Sequence, residues 1–396
     1  MLPIRTRRPL PSRPVLAAVA LVASLTACTA QAADGGGGRS GTGDAKPAAP
    51  AKVTVVAPAA GSPVKVTAAG GTIAAVKVVD ADGGTLLGRT GAGGTSWLSD
   101  RKAVPGTSYT VEVTSRTGDG KESTTTSSFT TPEPEKVNKL TLAPGKNTTV
   151  GIGHPLSIVF DLPVTRKADV ERQLKVTTSN ATEGSWGWVT DYSGRDRADW
   201  RPKEYWKPGT KVTLEADLNG TDSGGGWFVR DYRTGFTVGA AQVVKVDLDR
   251  HRLTVVRDGR TVRTIPVSGG TPGGDKRSWR GTAVLMAKEG TINMNSETVG
   301  LGDAYNKDVD YSMRLTWSGM YAHAAPWNAA YFGKANHSSG CIGMSDENAA
   351  SFYASVNVGD PFEITGRETK GTVAEGNGYG AWNLGWEQWK AKSALR

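Results

Sequence analysis

A mainly β protein is what the sequence predicts, and three observations lead there. Apolar and polar residues alternate with period two in short runs, as in Ser108-Tyr109-Thr110-Val111-Glu112-Val113 and Lys211-Val212-Thr213-Leu214-Glu215-Ala216. Turn formers interrupt these runs throughout, with 51 Gly and 20 Pro among 396 residues. Helix signals are scarce. Twelve Trp, ten Tyr and seven Phe supply the large apolar bodies that a disordered chain lacks, and the length calls for two or three domains. Past the first thirty residues no stretch approaches the roughly 20 apolar residues of a bilayer crossing, which excludes a multispanning membrane protein.

The N-terminus carries Arg5, Arg7, Arg8 and Arg13 ahead of an apolar run from Val15 to Leu25, the layout of an export signal over residues 1–27. Leu25-Thr26-Ala27-Cys28 resembles the lipobox of bacterial lipoproteins, which implies diacylation of Cys28 and a lipid anchor on the outer face of the cytoplasmic membrane. Arg7-Arg8 also fits a twin-arginine signal. The leader's four arginines account for four of the nine excess positive charges. The remainder favours weak attraction to anionic surfaces, and without a basic stripe interleaved with aromatics it makes no case for nucleic acid.

Residues 28–52 run through Gly35-Gly36-Gly37-Gly38, Pro47 and Pro50 with almost no large apolar residue and read as a flexible tether. The chain then repeats itself. Trp97 precedes Pro105-Gly106-Thr107 by eight residues, and Trp200 precedes Pro208-Gly209-Thr210 by eight. Each triplet opens an alternating strand, and each copy closes on a second one, at Phe129-Thr130-Thr131 and Phe236-Thr237-Val238. This period suits two immunoglobulin-like sandwiches, over 53–135 and 136–240, of the disulfide-free kind because neither holds a Cys pair. No titratable groups converge in them, so they read as spacers.

A third β-rich segment follows, with strands expected at Val243 to Val246, Leu253 to Val256 and, after a type I′ turn at Asp258-Gly259, Thr261 to Val267. The clearest helix begins at Ser345, an N-cap followed by Asp346 and Glu347 and by apolar Ala349, Ala350, Phe352, Tyr353 and Val356.

With Cys28 lipidated, Cys341 is the single remaining thiol of an exported chain and has no disulfide partner. It sits in the small-residue turn His337-Ser338-Ser339-Gly340-Cys341, where an exposed sulfur is expected, open to a substrate carbonyl, with the backbone N–H groups of Gly340 and Cys341 aimed at a developing oxyanion. A free thiol needs a base, and two of the four histidines, His323 and His337, lie within twenty residues of it. His154 and His251 fall in sandwich and hairpin contexts and read as structural.

These residues resemble the L,D-transpeptidase catalytic domain of bacterial cell-wall synthesis, the YkuD type, over 241–366. The resemblance rests on Tyr305-Asn306-Lys307-Asp308-Val309-Asp310-Tyr311, on Gly319-Met320-Tyr321-Ala322-His323-Ala324-Ala325-Pro326-Trp327, and on Ser338-Ser339-Gly340-Cys341. Residues 367–396, with Trp382, Trp386 and Trp389, look like the Trp-rich extension that actinobacterial members fold back onto the catalytic domain. The resemblance implies a mostly β catalytic core with few helices, Cys341 as nucleophile, His323 as general base and the Tyr305 hydroxyl at the oxyanion site. It further implies tetrapeptide stems of peptidoglycan as donor and acceptor, acylation by carbapenems, and no cofactor.

Two positions depart from the family pattern. Ser339 stands where S-H-G-C has its His, and Ala324 where Ser commonly follows the catalytic His. His337 either replaces the missing imidazole or binds substrate or solvent. A backbone carbonyl suffices to orient His323 in place of a Ser side chain. Trp327 and the tail tryptophans are expected to wall the cleft. Two other readings keep the same motifs: an L,D-carboxypeptidase with water as acceptor, and an inactive wall-binding module. No zinc site is expected, since Asp308 and Asp310 share a strand side without a third ligand, and no G-x-S-x-G elbow supports a serine hydrolase.

Overall fold

A computed structural model describes residues 49–59, 61–303 and 305–395. The leader, Cys28 and the tether up to residue 48 lie outside the described residues. Lys52, expected in the tether, begins a strand, Lys52–Val56, that pairs with Pro63–Ala69.

Two sheets enclose the first apolar core. One runs in the order Lys52–Val56, Pro63–Ala69, Ser96–Lys102, Gly88–Thr90, and the other Gly71–Asp80, Ser108–Thr117, Glu122–Thr130. Period-two alternation delivers Tyr109, Val111 and Val113 inward, where they meet Val64, Val66 and Trp97. The second core lies between the sheet Gly184–Thr190, Asp196–Pro202, Leu156–Phe160, Leu140–Ala143 and the sheet Leu174–Thr178, Lys211–Ala216, Tyr232–Val238, Thr149–Val150. Trp200 stacks on Trp206 there, with ring centroids 5.3 Å apart. The repeated Pro-Gly-Thr triplets do the same job twice: Gly106 and Gly209 turn the chain at φ 67° and 77°, and each donates its N–H to the closing end of its sandwich, at Pro132 O and Val238 O. Arg101 joins the sandwiches through a two-pronged pair with Asp231, at 2.6 and 2.7 Å.

From Gln242 onward the chain builds two more sheets. A five-stranded one is ordered Arg260–Pro266, Arg252–Arg257, Gln242–Asp247, Pro361–Thr365, Gly281–Val284. A four-stranded one is ordered Ala287–Asn295, Asn306–Arg314, Tyr321–Ala324, Ile342–Met344. Val246, Leu253, Ile265, Met313, Ile342, Phe352 and Phe362 fill the core. The expected hairpin turn is present, with Asp258 at φ 49° and Gly259 at 76°. The helix Asp346–Ser355 begins where expected: Ser345 Oγ caps the Asn348 N–H and Phe352 is fully buried.

The tail departs from expectation. Its tryptophans do not line the cleft at Cys341 and pack mostly on the second sandwich. Trp389 is fully buried and lies so close over Gly187 that a Cβ there would sit 2.6 Å from the indole, while its Nε1 donates to Ser185 O. The Arg201 guanidinium faces the rings of Trp382, Trp386 and Trp389 at 4.7, 5.6 and 5.2 Å. Asn383 binds Thr282 of the five-stranded sheet through both its N–H and its C=O, so the tail touches the catalytic segment as well. Gly151 and Gly153 donate directly to Val358 O and Gly359 O, at 2.8 and 2.9 Å. The described residues belong to one compact unit.

Candidate active site

The Tyr321–Ala324 and Ile342–Met344 strands run parallel, pairing Ala322 with Ile342 and His323 with Gly343. This register brings His323 and Cys341, eighteen residues apart in sequence, side by side, with Cys341 immediately preceding the Ile342–Met344 strand. Both open onto a cavity of about 350 Å³ that Tyr305, Trp327, His337, Ser338 and Ser339 also line. Of the expected catalytic and cleft residues, the structure thus leaves out of this cavity the tail tryptophans and Gly340, which lies on an adjoining depression with Tyr305 and Ser339.

The sulfur is not exposed as expected. Cys341 keeps 9% of its surface and His323 4%, because the turn is tied down on every side. Ser338 Oγ donates to Cys341 O at 2.6 Å, Ser278 Oγ donates to Gly340 O, and the Ser338 N–H donates to Gly269 O. Small side chains, taken in the sequence as a mark of openness, are what let these backbones close in. Gly340 itself sits at φ 116°, a conformation that side chains disfavour.

Burial pushes the Cys341 thiol up to about 11, slightly opposed by the Tyr321 backbone, and pushes the His323 imidazole down to about 4. Both groups rest neutral. His323 Nδ1 lies 2.6 Å from Ala324 O, and since a carbonyl only accepts, the ring proton is on Nδ1 and the Nε2 lone pair is free. The Ala324 main chain thus orients the ring without a side-chain hydroxyl. The thiol donates to Gly319 O at 3.6 Å, and among the described residues no hydrogen bond links Sγ to either histidine ring.

The oxyanion donors differ in one respect from expectation. The Gly340 N–H is taken by Ser338 Oγ at 3.2 Å, whereas the Cys341 N–H makes no hydrogen bond to another of the described residues. Tyr305 is raised above the usual phenol range by burial and by its proximity to Cys341, so its hydroxyl stays a donor. His337 is exposed; its ring stacks on Tyr331 at 4.1 Å, and its backbone is held by Ser268 and Asn328. The Trp327 ring lies 6.1 Å from that of His323, stacked at 30°.

His154 is buried against Tyr379 with its Nδ1 on Pro155 O, and His251 occupies a turn at φ 52°. Asp308 and Asp310 pair with Asn293 and Thr291, and no metal-binding cluster occurs among the described residues. Sequence reasoning overlooked Lys276, Lys307 and Met294 among the lining residues. Strand alternation carried the signal for one of them, since Tyr305, Lys307 and Val309 fall on one face.

Comparisons with known proteins agree with this architecture. Residues 55–222 match a bacterial Ig domain and residues 241–364 an L,D-transpeptidase catalytic domain. L,D-transpeptidase 2 of Mycobacterium tuberculosis is 33% identical over 341 residues, spanning 84% of this chain and 81% of that protein. L,D-transpeptidase 1 of the same species is 35% identical over 229 residues, 57% of this chain and 84% of that one. An LD transpeptidase solved in complex with imipenem superposes with a TM-score of 0.50 at 34% identity, covering 58% of this chain and 100% of the other.

Proposed function

The chain belongs to the L,D-transpeptidase family, and from that premise we propose that it joins peptidoglycan stems through a thioester on Cys341, with His323 moving the protons. The observation that carries this reading is the pairing of a thiol and an imidazole whose Nε2 is free, on one cavity.

In the first half-reaction Sγ leaves its hydrogen bond to Gly319 O and attacks the carbonyl carbon of the diamino acid at the stem's third position. Its proton passes to His323 Nε2. Because thiol and imidazole both rest neutral, a preformed thiolate–imidazolium pair is disfavoured, so proton transfer accompanies attack. The tetrahedral oxyanion is met by the Cys341 N–H and the Tyr305 hydroxyl. Nε2 then hands the proton to the departing amine, the C–N bond breaks, and a thioester remains. In the second half-reaction the side-chain amine of another stem, or of a short bridge attached to it, attacks the thioester while His323 takes its proton. The proton returns to Sγ as the cross-link forms.

Water as acceptor gives the L,D-carboxypeptidase from the same intermediate, and product analysis separates the two. Imipenem, bound by a related enzyme, has a carbonyl that the same sulfur attacks, so one equivalent of carbapenem is expected on Cys341. The proposed location is the outer face of the cytoplasmic membrane, on a lipid at Cys28, supported by the lipobox-like residues preceding it. Exchange of Cys341 for Ala tests the mechanism: cross-linking of purified tetrapeptide muropeptides and the carbapenem adduct by intact mass both disappear. Cross-linking that survives removes Cys341 from the reaction.

A further inference from the structure

Two cations line the cavity, Lys276 and Lys307, and no acidic residue does so among those described. Lys307 is the better placed. Its strand, Asn306–Arg314, turns it to the same face as Tyr305 and Val309, and its ammonium lies 4.2 Å from the Trp327 ring centroid. That ring is the one stacked beside His323. The charge reaches the imidazole, adding to the downward push of burial on His323. No carboxylate of the described residues pairs with Lys307; its neighbours Asp308 and Asp310 fall on the opposite face and are engaged there.

Chemistry fixes what belongs in front of it. In thioester formation the departing nitrogen must reach His323 Nε2 to collect its proton. In a D-amino acid leaving group the α-carboxylate hangs one carbon from that nitrogen, its oxygens no more than about 3.6 Å away. A carboxylate placed so lies on the His323 side of the sulfur, where Trp327 holds Lys307. Lys276, by contrast, has its backbone carbonyl against Gly340.

We propose that Lys307 is a specificity residue for the acyl donor, binding the free α-carboxylate of the leaving D-amino acid and so selecting stems that end one residue beyond the scissile bond. This rests on the transpeptidase reading above. Stems in which that carboxylate is converted to a neutral amide, by a further residue or by amidation, lose the charge-assisted bond. The same lysine serves carbapenems, whose carboxylate is likewise carried on the carbon attached to the lactam nitrogen.

The test uses the full-length protein and two tetrapeptide donors that differ only at the C-terminus, free carboxylate or carboxamide. The wild type should prefer the free acid in kcat/KM by about ten- to a hundredfold, the worth of one hydrogen bond to a charged group. In Lys307→Met that ratio should fall to within about threefold of unity, chiefly through KM, and carbapenem acylation should slow in parallel. Lys307→Arg should restore most of the preference, and Lys276→Met should keep the wild-type ratio. A Lys307→Met protein that melts like the wild type and keeps its ratio, or that loses both donors equally, overturns the assignment. A wild type that processes both donors alike overturns it too, while leaving the transpeptidase reading standing. Turnover of neither donor sinks both.

Discussion

Burial of Cys341 and His323 sets the working range of the site. An imidazole held down to about 4 is neutral, and so a competent base, at every pH above that value; protonation abolishes it only below. Carbapenem acylation should therefore stay flat from about pH 7 down to pH 5 and fall near pH 4, where an ordinary histidine would cut it off near 6.5. Stopped-flow or mass-resolved acylation across that range is the measurement, and a midpoint above pH 6 would contradict the geometry. The raised thiol makes a companion prediction. Alkylation by iodoacetamide should remain slow at neutral pH and accelerate only toward about pH 11, because the thiolate is the reactive form. These residues were legible in the sequence as chemistry but not as environment. A lone thiol with two nearby histidines pointed to the pair, yet the Ser338 and Ser278 hydroxyls that draw the turn inward act on main-chain carbonyls, and such bonds leave no mark in the order of residues.

At the level of elements, alternation and turn chemistry performed well where strands are long enough to display them. Lys211–Ala216 is buried at every second residue, and the Asp258-Gly259 turn sits where two strands were expected to meet. Gly88–Thr90 and Thr149–Val150 escaped because two or three residues show no period. The tail escaped for another reason. Trp382, Trp386 and Trp389 announce burial without naming what receives them, and the seat, Gly187 with Arg201, lies some two hundred residues earlier. Trp389→Ala should cost about 3–5 kcal/mol, the range for emptying a fully buried indole site, and lower the melting temperature without changing the carbapenem adduct stoichiometry at 25 °C. Gly187→Val should do comparable damage from the other side of the contact, since its side chain would enter the indole.

Across the whole molecule, the second sandwich and the catalytic segment are joined by more than sequence continuity. Arg197, 2% exposed, donates to Glu375 O and Gly378 O while pairing with the buried Asp199 at 2.9 Å. Glu171 accepts from Trp188 Nε1, Ser393 Oγ and the Ala394 N–H, so the sandwich's short helix grips the last residues of the chain. A protein ending at residue 384 loses Trp386, Trp389 and the Glu171 bonds to Ser393 and Ala394 but keeps the Gly151 and Gly153 contacts. Calorimetry should then resolve the unfolding of the sandwich from that of the catalytic segment, where the intact chain melts them together. A single unchanged transition would show the tail to be dispensable to the coupling. The grip on Ser393 and Ala394 also imposes an order of events in biogenesis. Synthesis runs from the N-terminus, so Glu171 has Trp188 Nε1 as a partner well before Ser393 and Ala394 exist to complete its set. Copies shortened before Ser393 never acquire the lock, and any protease meets them in the looser form.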